Sequence, residues 1–221
     1  MDIKNQIKYQ LSDNKDIRLD KFISKVLFTN NGYYYNNKAI GKKYDFITAP
    51  EISQMFGEII GSYLLYVWKN KLNSKFNLIE LGPGKGTLFM DIANSVSNYS
   101  DFLDQAVIKF IEINESLIKI QKKNLIKYNY KKIKWQKKIN FRSQLPTIIY
   151  SNEFFDCFPV RQFYFNKNWY EKYVKYNKEN DSFYFKDKVI KNSKLLKFLR
   201  SYNLEKILEV SFERNMYFEK I

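Results

Sequence analysis

The sequence predicts an α/β fold with a mainly parallel, doubly wound sheet, and three observations carry that prediction. Apolar runs of strand length alternate with amphipathic helical stretches between residues 76 and 151, the signature of successive βαβ units. The first of these runs ends in Gly82, Pro83, Gly84, Lys85 and Gly86, a turn that holds three of the chain's seven glycines. The length of 221 residues, with 45% hydrophobic and 28% charged side chains, suits one large globular domain or one domain with an appendage.

The elements follow in order. Leu19, Phe22, Ile23, Val26 and Leu27 recur at helical spacing over residues 17 to 28, and Asn30, Asn31 and Gly32 supply a stop. The clearest helix is expected from Pro50 to Lys71, where Ile52, Met55, Phe56, Ile59, Ile60, Tyr63, Leu64, Val67 and Trp68 form one continuous apolar stripe. Thr48 and Glu51 have the spacing of a capping box at its start, with Pro50 in the first turn. Strands are then expected at Phe76 to Leu81, Val107 to Ile113, Ile133 to Trp135 and Thr147 to Ser151. Helices are expected after the glycine turn (Leu88, Phe89, Ile92, Ala93, Val96) and from Glu115 to Tyr128. Past Pro159 the pattern changes to aromatic and polar alternation at Arg161 to Phe165, Trp169 to Tyr176 and Ser182 to Phe185, which reads as antiparallel strands. A helix from Ser193 to Tyr202 and a strand from Lys206 to Ser211 close the chain.

Composition removes several function classes. With no histidine and the single Cys157, the chain can build no histidine triad, no His/Cys zinc site and no internal disulfide. A net charge of +15 invites a nucleic-acid partner, but only Arg18, Arg142, Arg161, Arg200 and Arg214 among the 38 basic residues are arginine, the side chain suited to bidentate base and phosphate contacts. The lysines are scattered and read as a solvated surface; Lys119 to Lys138 is the densest cluster. The N-terminal residues MDIKNQIKYQ have neither a signal-peptide core nor a transit-peptide composition. No apolar run approaches the roughly 18 residues of a membrane span. The expectation is a cytoplasmic protein of bacterial type, in preference to the mitochondrial matrix, with no membrane insertion.

The chemistry centres on the segment from Glu80 to Gly86. Closely spaced glycines at a strand-to-helix turn let a ligand approach the backbone amides and the helix N-terminus. The dinucleotide fingerprint would need glycine where Thr87 stands, and the phosphate loop fails because Gly86 follows Lys85. What remains, the pattern acidic-x-G-x-G-x-G from Glu80 to Gly86, is the nucleoside loop of S-adenosylmethionine (SAM) methyltransferases. Glu112, at the end of the second strand, is then placed to accept ribose hydroxyls, and Glu80 to receive the ammonium of the methionine moiety. The fourth strand runs into Asn152, Glu153, Phe154, Phe155 and Asp156. Carboxylates among aromatics there suit a cationic nitrogen acceptor shielded from water, and one of them can take its proton. Cys157 reads as a small packing residue.

Several segments in this order resemble the MidA-like family of class I SAM-dependent methyltransferases: Gly32 to Tyr34, Asp45 to Glu58, Glu80 to Thr87, Asn152 to Asp156, and Pro159 to Arg161. Its mitochondrial members are protein arginine methyltransferases that act as complex I assembly factors. The resemblance implies a Rossmann-like domain over residues 76–221, with an N-terminal helical region over 1–75 packing on its cofactor side as part of one compact unit. It implies SAM over Gly82, Gly84 and Gly86 with its ribose at Glu112, a lid-like helix carrying Thr48 and Glu51 facing the cofactor, and Asn152, Glu153 and Asp156 lining the acceptor side. It also implies no metal, and a protein substrate such as an NADH dehydrogenase subunit. Tyr44, Lys85 and Phe212 depart from the family's usual glycine, arginine and proline, and members continue beyond the Glu209-Val210-Ser211 strand, so this chain is C-terminally short by that standard. Two other readings stay open: an assembly or binding factor that keeps the fold without turnover, and a nucleic-acid methyltransferase, disfavoured because Asn152 to Phe155 lacks the prolines of the amino-methylating motif.

Overall fold

The computed structural model describes residues 2–12, 15–29, 32–35, 47–128, 133–138, 143–202 and 207–219. Asn30, Asn31, Tyr44, Asp45, Phe46, Arg142 and Lys206, used in the sequence argument, lie outside them, as does part of the lysine cluster. By packing, the chain divides into one unit of Met1–Tyr35 with Cys157–Ile221 and a second of Asn36–Asp156. This division follows spatial contacts, whereas the division at residue 75 follows chain order.

The first unit carries the antiparallel strands. Its elements are α1 (Ile3–Leu11), β1 (Ile17–Arg18), α2 (Leu19–Phe28), β6 (Arg161–Asn166), β7 (Asn168–Asn177), β8 (Ser182–Val189), α8 (Ser193–Leu199), β9 (Leu208–Val210) and α9 (Phe212–Phe218). The strands β6, β7 and β8 form a meander; β9 pairs with β6, and β1 pairs with β7 at Ile17↔Val174 and Arg18↔Tyr173. Alternation puts Phe163, Trp169 and Val210 in a core with Ile190 and Leu199. Glu171, nearly fully buried, is held by both arms of Arg161 at 2.6 and 2.7 Å, the bidentate geometry that compensates a buried carboxylate. The closing strand is shorter than expected, and Phe212–Phe218 folds as a helix whose start Ser211 caps by accepting from the Arg214 amide.

The second unit is the predicted doubly wound part. It holds α3 (Ala49–Ile52), α4 (Gln54–Val67), β2 (Phe76–Leu81), α5 (Thr87–Ser95), α6 (Ser100–Gln105), β3 (Ala106–Ile111), α7 (Glu115–Asn124), β4 (Lys134–Gln136) and β5 (Thr147–Ser151). Among the described residues its strands β2 to β5 are all parallel, in the order β4-β3-β2-β5. The chain runs outward from β2 through β3 to β4 and then returns to the other side of β2. This reversal leaves a crevice between the carboxyl ends of β2 and β5, where open α/β sheets bind ligands.

Two expectations about the long helix are corrected. It breaks at Ser53, which is extended (φ −144, ψ 124), so a one-turn α3 precedes α4, and a π-helical turn, Trp68–Leu72, follows it. Its apolar stripe is also split. Leu64, Leu65 and Trp68 enter the core with Phe76 and Phe102, whereas Ile52, Met55, Ile59 and Tyr63 are exposed. The cause lies in Gly57 and Gly61, which turn toward α5 and draw the two helices together there, so α4 buries the face carrying its glycines instead of the whole stripe.

Candidate functional site

The site is built where β2, β3 and β5 end together. After Leu81 the chain turns through Gly82, Gly84 and Gly86, all in the left-handed region at φ +62, +55 and +82. A β-carbon on Gly82 would stand 2.7 Å from the ring of Phe154, so this position needs glycine for space as well as for conformation. Gly82 donates its amide to the Ile111 carbonyl at 3.0 Å, which carries the β2–β3 ladder into the turn. We therefore expect Gly82→Ala to lose cofactor binding by at least about tenfold and stability by about 1 to 3 kcal/mol, checked by calorimetry and urea unfolding.

The two acids expected at strand ends are both present and buried. Glu112, at the end of β3, is held by its own chain: Oε1 accepts the amides of Ile113 and Asn114, each at 2.9 Å, and Oε2 accepts from Gln121 Nε2 at 3.3 Å. Burial pushes its carboxyl above the usual range, while the Asn114 and Ile113 amides and Gln121 pull it back. Glu80, in β2, is 2% exposed and its Oε2 accepts the Tyr150 hydroxyl at 3.0 Å. Burial raises its carboxyl to about 8, against the opposing hydrogen bond from Tyr150. Free of ligand, Glu80 is thus largely protonated at neutral pH.

The expected capping box does not form. Thr48 occupies the N-cap position of α3 without a side-chain hydrogen bond, and Glu51 reaches forward instead, where its Oε1 accepts the Thr87 hydroxyl at 2.7 Å and its Oε2 lies 4.0 Å from Lys85 Nζ. A carboxylate three positions from a cap residue has two competing partners, and here the helix start of α5 wins. The result brings Glu51 to both flanks of Gly86, at the glycine turn.

Asn152, Glu153 and Asp156 follow β5 on the other side of the crevice. Asn152 is half-buried and Glu153 and Asp156 are exposed. Glu153 adopts φ +51, a left-handed conformation that costs a residue with a β-carbon roughly 1 to 2 kcal/mol, and strain of this kind collects at functional positions. Phe154 and Phe155 pack with Ile79, Leu81 and Ile111 beneath the turn, so the aromatics that follow β5 also brace the glycine turn. Among the described residues, clefts of about 540 and 510 Å³ lie in the first unit. In the first, Arg18, Arg161 and Lys188 are already matched by Asp20, Glu171 and Asp16.

Sequence reasoning missed Gln121 and Asn124 on α7. Gln121 Nε2 donates to the Gly84 carbonyl at 2.7 Å and Asn124 Nδ2 to the Lys85 carbonyl at 3.0 Å. Their spacing of three, on one helical face and close behind the strand-end Glu112, was the available signal.

A family model described as "Putative S-adenosyl-L-methionine-dependent methyltransferase" covers residues 59–221. The protein arginine methyltransferase NDUFAF7 homolog, mitochondrial, of Caenorhabditis elegans is 32% identical over an alignment of 180 residues that covers 71% of this chain and 42% of that protein. The mitochondrial protein arginine methyltransferase NDUFAF7 of Bos taurus is 32% identical over an alignment of 179 residues that covers 70% of this chain and 40% of that protein. The Homo sapiens counterpart is 31% identical over 181 residues, 71% and 41% respectively. The chain thus spans about two fifths of the length of these curated relatives. Among solved structures, a Burkholderia thailandensis protein with S-adenosyl-homocysteine bound superposes with a TM-score of 0.82 at 19% identity, over 99% of this chain and 58% of that one. A native structure from the same organism gives 0.79 at 18% identity, over 99% and 56%. At that identity the likeness establishes the fold. With a family model matched over residues 59–221, the chain belongs to this family of S-adenosyl-L-methionine-dependent methyltransferases.

Proposed function

We propose that this chain binds SAM at the crevice between β2 and β5 and methylates a guanidinium nitrogen of a protein arginine, in a role linked to the assembly of respiratory complex I (NADH dehydrogenase). The observation that carries the cofactor assignment is the pairing of a left-handed glycine turn after β2 with a carboxylate fixed by two backbone amides at the end of the neighbouring β3. The residues present fit the group: Glu112 retains acceptor capacity for ribose hydroxyls, and Glu80 and Glu51 supply negative charge near the turn for an ammonium. Thr48 joins Glu51 on this cofactor side in the proposal. SAM, when bound, supplies a methyl group on a positively charged sulfur. The chain's own work is to orient and to exclude water. Asn152, Glu153 and Asp156 hold the acceptor guanidinium, one of the two carboxylates takes the proton that its nitrogen loses, and Phe154 and Phe155 keep the loop dry. No residue of this scheme requires a metal, and among the described residues no cluster of three or more His, Cys, Asp or Glu could hold one.

The acceptor class rests on the named relatives and on the acid-and-aromatic character of residues 152–156. A cytoplasmic location is part of the proposal; the curated relatives are mitochondrial proteins, and among the described residues no helix is long and apolar enough to cross a membrane.

The test is calorimetric titration of the 221-residue chain with SAM and S-adenosyl-homocysteine beside a Gly84→Asp control, followed by transfer of labelled methyl to an arginine-bearing NADH dehydrogenase subunit. Binding by wild type alone, with incorporation into arginine that falls by about 100-fold or more in Glu153→Ala or Asp156→Ala at unchanged cofactor affinity, is the expected result. Cofactor binding without transfer favours the assembly-factor reading. Labelling of nucleic acid instead, with binding that weakens steeply in salt, favours the third.

A further inference from the structure

Gln121 is fully buried in the C-terminal half of α7, and a buried primary amide must satisfy two donors and an acceptor. It does so with three different parts of the second unit. Its Oε1 accepts the Trp135 indole N–H of β4 at 2.7 Å, and its Nε2 donates to the Gly84 carbonyl at 2.7 Å and to Glu112 Oε2 at 3.3 Å. An indole N–H can only donate, so Trp135 fixes which end of the amide faces which partner. The nitrogen has to point at the glycine turn and at the strand-end carboxylate together.

Two consequences follow from elementary geometry. Because the peptide is planar and trans, a Gly84 carbonyl drawn toward α7 turns the Lys85 amide away from that helix; Asn124 does the same to the next carbonyl, at Lys85. On Glu112, the amides of Ile113 and Asn114 occupy Oε1 and Gln121 takes one side of Oε2, so the carboxylate cannot swivel and its remaining acceptor direction is set.

We propose that Gln121 is a positioning residue that sets the cofactor's ribose recognition, by locking the glycine turn and the Glu112 carboxylate in one register. It touches neither the methyl group nor the acceptor. The proposal rests on the cofactor reading above and adds to it the residue that makes the ribose contact selective.

The probes are S-adenosyl-homocysteine and its 2′-deoxy and 3′-deoxy counterparts, titrated calorimetrically into the full chain. Wild type is expected to bind the complete ribose about ten- to a hundredfold more tightly than at least one deoxy probe, the worth of a hydrogen bond to a charged acceptor. Gln121→Met, which keeps the volume and removes both donors, should weaken S-adenosyl-homocysteine binding by about tenfold or more and bring that preference within about threefold. Trp135→Phe leaves Gln121 in place and removes what orients its amide; it should move both quantities the same way by a smaller factor, and it serves if the Gln121 variant fails to fold. A purely structural role lowers the melting temperature of a variant but leaves the ribose preference where it was, and an unchanged preference in the folded variants overturns the proposal. A wild type that binds no S-adenosyl-homocysteine overturns the cofactor reading beneath it, a result distinct from binding with an unaltered ratio.

Discussion

Glu80→Gln should stabilise the free protein at pH 9 by a few kcal/mol while weakening S-adenosyl-homocysteine binding by about ten- to a hundredfold. The sign follows from the raised carboxyl. Glu80 titrates near 4.5 in the unfolded chain and at about 8 in the folded one, with burial as the main cause and the Tyr150 hydrogen bond opposing it. Between those values the folded state holds a proton that the unfolded state has released. This group's contribution is therefore most favourable at and below pH 4.5, erodes as pH rises toward about 8, and is flat above that. Glutamine has no charge to bury and keeps an oxygen for Tyr150, so urea unfolding of the variant at pH 5, 7 and 9 should show a shallower decline than wild type. The same carboxyl makes a prediction about the ligand. An ammonium placed beside Glu80 favours its ionised form, so S-adenosyl-homocysteine binding at pH 7 should release close to one proton. Titrations in buffers of different ionisation enthalpy measure this directly, and no proton release in wild type would separate Glu80 from the ammonium.

Gly57→Ala should lower the stability of the second unit by about 2 to 3 kcal/mol, although alanine is the better helix former by about 1 kcal/mol. A β-carbon on Gly57 would sit 2.4 Å from Asp91 Cβ, and one on Gly61 would sit 2.1 Å from Ser95 Oγ and 3.1 Å from the Ile92 backbone. Asp91 Cβ is fixed to its helix, so α4 and α5 have to separate, and the packing of Phe89 and Ile92 beneath them loosens. Asp91 gives this contact a second cost: its Oδ2 is buried without a partner, and burial, then Glu58 and Glu51, raise its carboxyl against the pull of Lys127. Urea denaturation followed by tryptophan fluorescence checks the prediction, since Trp68 lies in the same core. Gly61→Ala should cost less because Ser95 can rotate, and an equal or larger loss there would show that the Ile92 backbone sets the spacing.

The parts of the site that could be read in the sequence are those whose signal is local. Phe76 to Leu81 followed by three glycines could only be a strand entering a tight turn, and the strands, helices and antiparallel aromatic segment after it fall within a few residues of their expected places. Glu80 and Glu112 were found because strand ends are legible from apolar runs. The short helices α1, α6 and α9 went unread, since six to nine residues with at most two buried positions leave a weak period. Gln121 went unread for a different reason: a glutamine inside a helix looks like any solvated polar residue until the strand and the loop that consume its three hydrogen bonds are in place.

Glu51 and the stripe on α4 show where sequence stops and tertiary structure decides. Sequence alone determined the βαβ order, the glycine turn, the acids at the strand ends and the absence of histidine chemistry, because each depends on residues adjacent in the chain or on composition. Only the folded chain decided that Glu51 bonds Thr87, thirty-six positions away, in place of its own helix cap, that α4 buries its glycine side and leaves Ile52, Met55, Ile59 and Tyr63 exposed, and that Gln121 ties Gly84 to Glu112. The physical reason is common to all three. A side chain with several partners of similar strength within reach takes the one that packing brings nearest, and packing is set by the shapes of elements that are distant in sequence.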